Sequence, residues 1–387
     1  MCCLTFSPQY FRQGSPPGNL QRVYPARFRC AQAVRHANSA QHYLKAAIQS
    51  LRVNMPKPLT PGIFVPLPCF FDDNEELDIK TFKKHVIYTA QAGIKPVVSG
   101  SMGEAVHLTH DERANLVRAT REALDSVGLL DLPIIAGAGA SSTRETIAFA
   151  KEAAEAGADQ VIVIPPGYYV GSLKEDSHAA VKQYFIDVAA ASPVPVLMYN
   201  FPGVTGGIDM DSDLINEVAK SAPNICGIKL TCGAVGKLTR VTALTNSSSF
   251  ATEYPRKDSS APFIVLDGFV DILYPSFAGG AGGSITGVAN FAPRVCMRLW
   301  ELCNADPSKE AIKETQELQG LVSRADWDAA NTGVSGTKYL LSKLFRYNAR
   351  PRRPLLPTSE TKGSQLWQQS SIVEILALEK KLAEAAH

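Results

Sequence analysis

A (β/α)8 barrel with a C-terminal helical extension is the α/β fold this sequence predicts, on three observations. Eight short apolar runs of strand character follow Pro61, helix-period segments alternate with them at roughly 25 to 35 residues per pair, and no Gly-rich first turn of a doubly wound sheet precedes them. The runs are 62–67, 95–98, 133–136, 160–164, 194–198, 225–228, 263–266 and 283–285.

Between the runs lie amphipathic segments such as 109–126, opened by Thr109-His-Asp-Glu112 as a capping box, and 143–156, opened by Ser142-Thr-Arg-Glu145. The Ser-rich stretch 245–260 reads as an exposed insertion before the seventh strand, with no chemistry. After Val288 the pattern turns helical, with segments expected at 293–304, 307–324, 327–343 and 372–385. The resulting division is a basic N-terminal extension over 1–58, a catalytic barrel over 59–292 and a helical region over 293–387.

With 387 residues and 45% hydrophobic content, the chain has enough apolar material for one core of about 250 to 300 residues. Its formal net charge of +2 is unevenly spread. Residues 1–71 hold eight of the 39 basic residues and no acidic one, leaving 31 basic against 37 acidic residues downstream. The acidic body offers no footprint for a phosphate backbone, so nucleic acid is not an expected partner. The run Arg350-Pro-Arg-Arg353 reads as a solvated loop. No stretch of about 18 uninterrupted apolar residues occurs, so no membrane-spanning helix is expected.

The eight cysteines form no C-x-x-C pair and have no histidine at zinc-finger spacing, so they read as packing thiols of a reducing compartment. Cys226 and Cys232 flank Lys229 without a histidine in that motif to activate them. The seven dispersed histidines suggest no metal site, and Gly279-Gly-Ala-Gly-Gly283 lacks the ending of a phosphate loop. Residues 1–54 are Arg-rich, acid-free and without an apolar h-region. This is the composition of a disordered organellar transit peptide, or of a segment ahead of a true start near Met55, so the expected location is mitochondrial or cytoplasmic.

The chemistry-bearing residues stand where strands end. Lys229 closes the apolar run of 225–228, Tyr199 ends the fifth strand, and Gly100-Ser-Met-Gly-Glu104 follows the second. In a (β/α)8 barrel these ends converge on one face, so all three face one pocket. An amine at an apolar barrel mouth loses hydration, which favours the free base that attacks a ketone. A tyrosine hydroxyl within reach supplies the proton transfers that imine formation needs. The hydroxyl of Ser101 and nearby backbone amides suit a substrate carboxylate, and Glu104 reads as a structural carboxylate tying down the loop.

With those residues in view, the chain closely resembles the dihydrodipicolinate synthase and N-acetylneuraminate lyase family of pyruvate-dependent class I aldolases, over about residues 61 to 356. The resemblance rests on Gly100-Ser-Met-Gly-Glu-Ala105, Gly137-Ala-Gly-Ala-Ser-Ser-Thr143, Glu155-Ala-Gly-Ala-Asp159, Tyr199-Asn-Phe-Pro202, Gly227-Ile-Lys229 and Gly283-Ser-Ile-Thr-Gly-Val-Ala-Asn290. It implies that Lys229 is the imine-forming lysine and Tyr199 the proton-transfer tyrosine. It also places Ser101 at the pyruvyl carboxylate, and Gly268 and Ile285 along the pyruvate pocket. No cofactor beyond the covalent imine is implied. A homo-oligomer is implied, tetramer or dimer, in which a second tyrosine crosses between subunits; Tyr169 or its neighbour Tyr168 is the candidate.

Four departures from the family pattern bear on substrate. Val204 stands where members using aspartate semialdehyde are expected to carry an arginine, and valine does not pair with a carboxylate. Met102 replaces a common threonine. Thr231 resembles the lyases of hydroxylated sugar acids, and of the two acidic positions of sialic-acid lyases, occupied here by Val270 and Asp271, only Asp271 is acidic. The expected activity is cleavage of a 2-keto-3-deoxy sugar acid to pyruvate and a neutral hydroxyaldehyde. The alternatives are a 4-hydroxy-2-oxoglutarate aldolase, a condensation or dehydratase reaction on the same imine, and a non-catalytic pyruvate-binding barrel.

Overall fold

The computed structural model describes residues 56–259 and 261–385. The basic extension assigned to 1–58 lies outside them except for its last three residues. Eight parallel strands close into a barrel in sequence order: β1 (Gly62–Pro66), β2 (Lys95–Val98), β3 (Ile135–Gly137), β4 (Gln160–Val163), β5 (Val196–Asn200), β6 (Ile225–Leu230), β7 (Ile264–Asp267) and β8 (Gly283–Ile285). Closure rests on Gly62 facing Gly283. A Cβ on Gly283 would lie 1.9 Å from the carbonyl oxygen of Gly62, so only glycine lets the two strands meet there.

The strands carry apolar side chains on both faces because both are covered. Phe64, Val97, Ile135, Ile162, Leu197, Leu266 and Ile285 fill the barrel interior. Val65, Val98, Ala136, Val161, Met198, Ile228 and Val265 face outward. The outward set packs under α1 (Ile79–Gln91), α2 (His110–Ser126), α3 (Thr143–Glu155), α4 (Glu175–Ala191), α5 (Ser212–Ser221), α6 (Val235–Thr245), α7 (Leu273–Ala278) and α8 (Pro293–Cys303). At the start of α2 the capping box is complete. The Glu112 amide donates to Thr109 Oγ1 at 3.3 Å, and the Thr109 amide donates to Glu112 Oε2 at 2.8 Å. Ser142 caps α3 through the amide of Glu145.

Four more helices follow: α9 (Lys309–Ala330), α10 (Gly333–Phe345), α11 (Glu360–Trp367) and α12 (Ser370–Ala385). The helix boundary expected between 324 and 327 is absent. Val322, Ala325, Asp326 and Ala329 keep one buried face through that point, and the turn comes instead at Gly333, whose φ is +59°. The stretch 245–260 is mostly exposed, as its composition predicts, and one aromatic ring pins it to the body. Phe250 is buried within a helical turn, Phe250–Glu253, and its ring stands 6.2 Å from that of Phe263.

Arg350–Arg353 also departs from expectation, because Arg352 is an anchor rather than a solvated charge. Its guanidinium donates to both carboxylate oxygens of Glu112, at 2.9 and 2.6 Å, and to the carbonyls of Glu75 and His107. Arg350 and Arg353 are the exposed members of that run. The five described cysteines are free thiols, and burial raises Cys226 to about 12. No helix among the described residues is long and apolar enough to cross a membrane.

Candidate active site

Lys229 reaches the barrel interior because β6 carries a bulge. Val196 pairs with Ile225, but Leu197 pairs with Gly227, so one extra residue enters β6. A strand alternates sides with a period of two, and one inserted residue flips every later side chain to the other face. Cys226 points inward, Ile228 and Leu230 pack outward, and Lys229 therefore faces in, directly opposite Tyr199. Gly227 makes the bulge possible, since a Cβ there would sit 2.1 Å from the carbonyl oxygen of Ile264. Lys229 and Tyr199 are each only 6% exposed. Lys229 Nζ donates to Tyr199 Oη at 3.3 Å and lies 4.4 Å from the centroid of its ring.

The amine opens into a cavity of about 340 Å³. Val97, Ile162, Ile285 and Phe201 give it an apolar lining, and Ser101, Met102, Thr231, Gly268 and Val204 share it. Thr231 Oγ1 is buried and has no hydrogen-bond partner among the described residues. Gly268 has no room for a side chain, because a Cβ would lie 2.0 Å from that hydroxyl. Ser101, Tyr199 and Val204 also border a second cleft of about 590 Å³, so the two spaces share these three residues.

The Ser101–Met102 turn is held from below and behind. Ser99 adopts φ +52°, and its carbonyl oxygen occupies the space a Cβ on Gly137 would need, at 1.8 Å. Glu104, also at φ +52° and buried, accepts from Lys338 Nζ and from the Arg352 amide, with His107 Nδ1 3.2 Å away. Glu104 thus spends its oxygens on the loop and on α10.

Most of the residues expected from the sequence share this cavity: Lys229, Tyr199, Ser101, Met102, Val204, Thr231, Gly268 and Ile285. Asp271 stands behind the wall instead, with Oδ1 buried and unpartnered and its carboxyl raised above the usual range by burial. Tyr169 and Tyr168 are 72% and 83% exposed, stacked edge to face at 5.0 Å, and line neither cavity within the one chain.

Asp326, on α9, was not read from the sequence. It lines the cavity beside Lys229, is 5% exposed, and accepts from the amides of Val270 and Asp271 at 2.9 and 3.2 Å. Burial, then the Asp271 charge, raise it to about 7, against the pull of those two amides and of Lys229. Its sequence signal was faint: an aspartate four residues after Val322, on the face that buries Val322, Ala325 and Ala329. Among the described residues, no three His, Cys, Asp or Glu side chains gather as metal ligands.

The closed (β/α)8 barrel, with a buried lysine and tyrosine paired at its mouth, is the frame in which the sequence comparisons assign a family. The chain belongs to the dihydrodipicolinate synthetase family, whose model matches residues 59–372. It is 43% identical, over 84% of its length and 98% of the relative's, to the Emericella nidulans protein named "Probable 4-hydroxy-2-oxoglutarate aldolase, mitochondrial". It is 38% identical to the L-threo-3-deoxy-hexylosonate aldolase of Aspergillus niger, over 85% of this chain and 99% of the other. Among solved structures, a dihydrodipicolinate synthase family protein from Coccidioides immitis matches with a TM-score of 0.71 and 33% identity, over 85% of this chain and 99% of that one. The prophage protein YagE of E. coli K12, solved in complex with pyruvate, matches with a TM-score of 0.68 and 26% identity, over 84% and 99%.

Proposed function

We propose that the protein is a cofactor-free Schiff-base aldolase that cleaves a 2-keto-3-deoxy sugar acid, of about hexonate size, to pyruvate and a neutral hydroxyaldehyde such as glyceraldehyde. The observation that carries this reading is the charge inventory of the cavity. Among the described residues, Lys229 and Asp326 are the only charged side chains lining it, so a keto acid finds one amine there and no second cation for a second carboxylate.

Lys229 Nζ attacks the C2 ketone, and the carbinolamine loses water to give an iminium while Tyr199 shuttles the protons. As C3–C4 breaks, its electron pair flows into the iminium and forms an enamine. Tyr199, directly or through water, takes the C4 hydroxyl proton, and the aldehyde leaves. Protonation of C3 restores the iminium, and water releases pyruvate and free Lys229. The Ser101 hydroxyl and the amides of its turn receive the C1 carboxylate.

A second reading, 4-hydroxy-2-oxoglutarate aldolase, is favoured by the name of the 43% identical relative. It would release glyoxylate, whose carboxylate meets Val204 rather than a cation. The words "mitochondrial" in the names of two relatives and the acid-free, Arg-rich start support a mitochondrial location over a cytoplasmic one. The exposed Tyr168–Tyr169 pair supports a homo-oligomer in which one of these rings enters a neighbour's site. The test is intact-mass spectrometry after incubation with pyruvate and borohydride, with peptide mapping, followed by an aldehyde panel. A reduced adduct on Lys229 and preference for glyceraldehyde over glyoxylate support the reading; no adduct in folded protein overturns it.

A further inference from the structure

Helix α9 reaches over the barrel mouth and grips the loop after β7 with three side chains spaced four and three residues apart, which share one helix face. Gln319 Nε2 donates to the carbonyls of Val270 and Asp271, both at 2.9 Å, and Gln319 Oε1 accepts from the Tyr274 amide at 2.8 Å. Ser323 Oγ donates to the Asp271 carbonyl. Asp326 completes the grip, with Oδ2 taking the amides of Val270 and Asp271. Both amide bonds fall on Oδ2, so Oδ1 is the oxygen they leave over on a side chain that lines the Lys229 cavity. The small residues Ala329, Ala330 and Gly333 line the same cavity as Asp326.

We propose that Asp326 is the specificity-determining residue for the aldehyde half of the substrate, where Oδ1 pairs with a hydroxyl of the sugar-acid tail and excludes a carboxylate. This rests on the aldolase reading above and adds to it the residue that chooses the product.

The chemistry is asymmetric. A hydroxyl donates to a carboxylate and accepts from a carboxylic acid, so it pairs with Asp326 in either protonation state. A second carboxylate pairs only with the acid form, and in a cavity where Lys229 is the only basic side chain among the described residues two carboxylates side by side are costly. Helix α9 also ends at Ala330, so its negative end lies on the same side and opposes a carboxylate there. The unpartnered Thr231 Oγ1 provides a further site for a hydroxylated tail.

The experiment measures kcat/KM for pyruvate with glyceraldehyde, propionaldehyde and glyoxylate, in the full chain and in Asp326→Asn, which keeps an oxygen for the two amides and removes the charge. Each ratio is internal to one preparation, so a fall in folded fraction cancels. In the unaltered protein glyceraldehyde should exceed propionaldehyde by at least tenfold, and in Asp326→Asn the glyceraldehyde-to-glyoxylate ratio should fall at least tenfold. A ratio within twofold of the unaltered protein overturns the inference. Should Asp326→Asn not fold, a crystal structure of the unaltered protein with the sugar-acid adduct reduced onto Lys229 decides it. A tail hydroxyl within hydrogen-bond distance of Oδ1 supports the inference, and a tail lying elsewhere overturns it. Failure of the aldolase reading looks different, because then the unaltered protein forms no borohydride-stable adduct on Lys229.

Discussion

Lys338 of α10 and Glu104, at the end of the Ser101 turn, form an ion pair in which neither side chain has exposed surface. It joins the C-terminal helices to the loop proposed above to receive the substrate carboxylate. Removing one partner of such a pair leaves a buried charge uncompensated, at a cost of about 3 to 5 kcal/mol. Glu104→Gln and Lys338→Met should each lose stability in that range by urea unfolding and raise KM for pyruvate. The double variant should recover much of the stability, because neither charge is then stranded. Equal stability of Glu104→Gln and the unaltered protein would show that the pair does not hold the loop.

Gly227 is where the bulge brings β6 against β7. In Gly227→Ala the new Cβ would collide with the Ile264 carbonyl at 2.1 Å, and backbone yields poorly there. The expected result is a loss of several kcal/mol together with loss of the borohydride-trapped adduct, since straightening the bulge turns Lys229 outward. Trapping at the unaltered rate would mean that the strand accommodates alanine with its register intact.

The bulge also marks the limit of what the sequence discloses. Alternating apolar runs were enough to place eight strands, because a strand buried on both faces leaves a continuous apolar imprint, and the ends of β2 and β8 fall where expected. Lys229 and Tyr199 were legible for the same reason, each interrupting such an imprint at its end. The register between them was not, because an inserted residue leaves no mark on hydrophobicity. Arg352 and Asp326 were obscure for a related cause. A charge on a loop or helix looks solvated until the chain folds back on it, and the partners of both lie far away in sequence.

Tyr199→Phe removes one hydroxyl and little volume, so the barrel should keep its melting temperature. Loss of a positioned proton carrier typically costs 10²- to 10⁴-fold, and kcat for cleavage should fall within about that range while the adduct still maps to Lys229. A fall of less than threefold would assign the proton transfers to another group.

Val204 is 54% exposed at the junction of the two cavities. Val204→Arg should therefore add a cation without disturbing the core, and kcat/KM for glyoxylate should rise by about tenfold relative to glyceraldehyde, the gain of one charge-assisted contact. No change across the aldehyde panel would mean that position 204 does not face the acceptor.

Asp267, at the end of β7, is 1% exposed, and its Oδ2 has no partner among the described residues. Burial first, then the Asp271 charge, raise its carboxyl from 3.8 to about 8. The folded state thus holds a proton that the unfolded chain releases near pH 4. By linkage, stability is fullest below the unfolded value and is lost as pH rises through about 8. Asp326, raised to about 7, acts with the same sign. Asp267→Asn is neutral at every pH and carries none of the Asp267 slope. The melting temperature of the unaltered protein should therefore fall, relative to Asp267→Asn, by several degrees between about pH 5 and pH 9. Parallel curves for the two proteins would show that Asp267 is already ionised in the fold, compensated by a group it reaches only when charged.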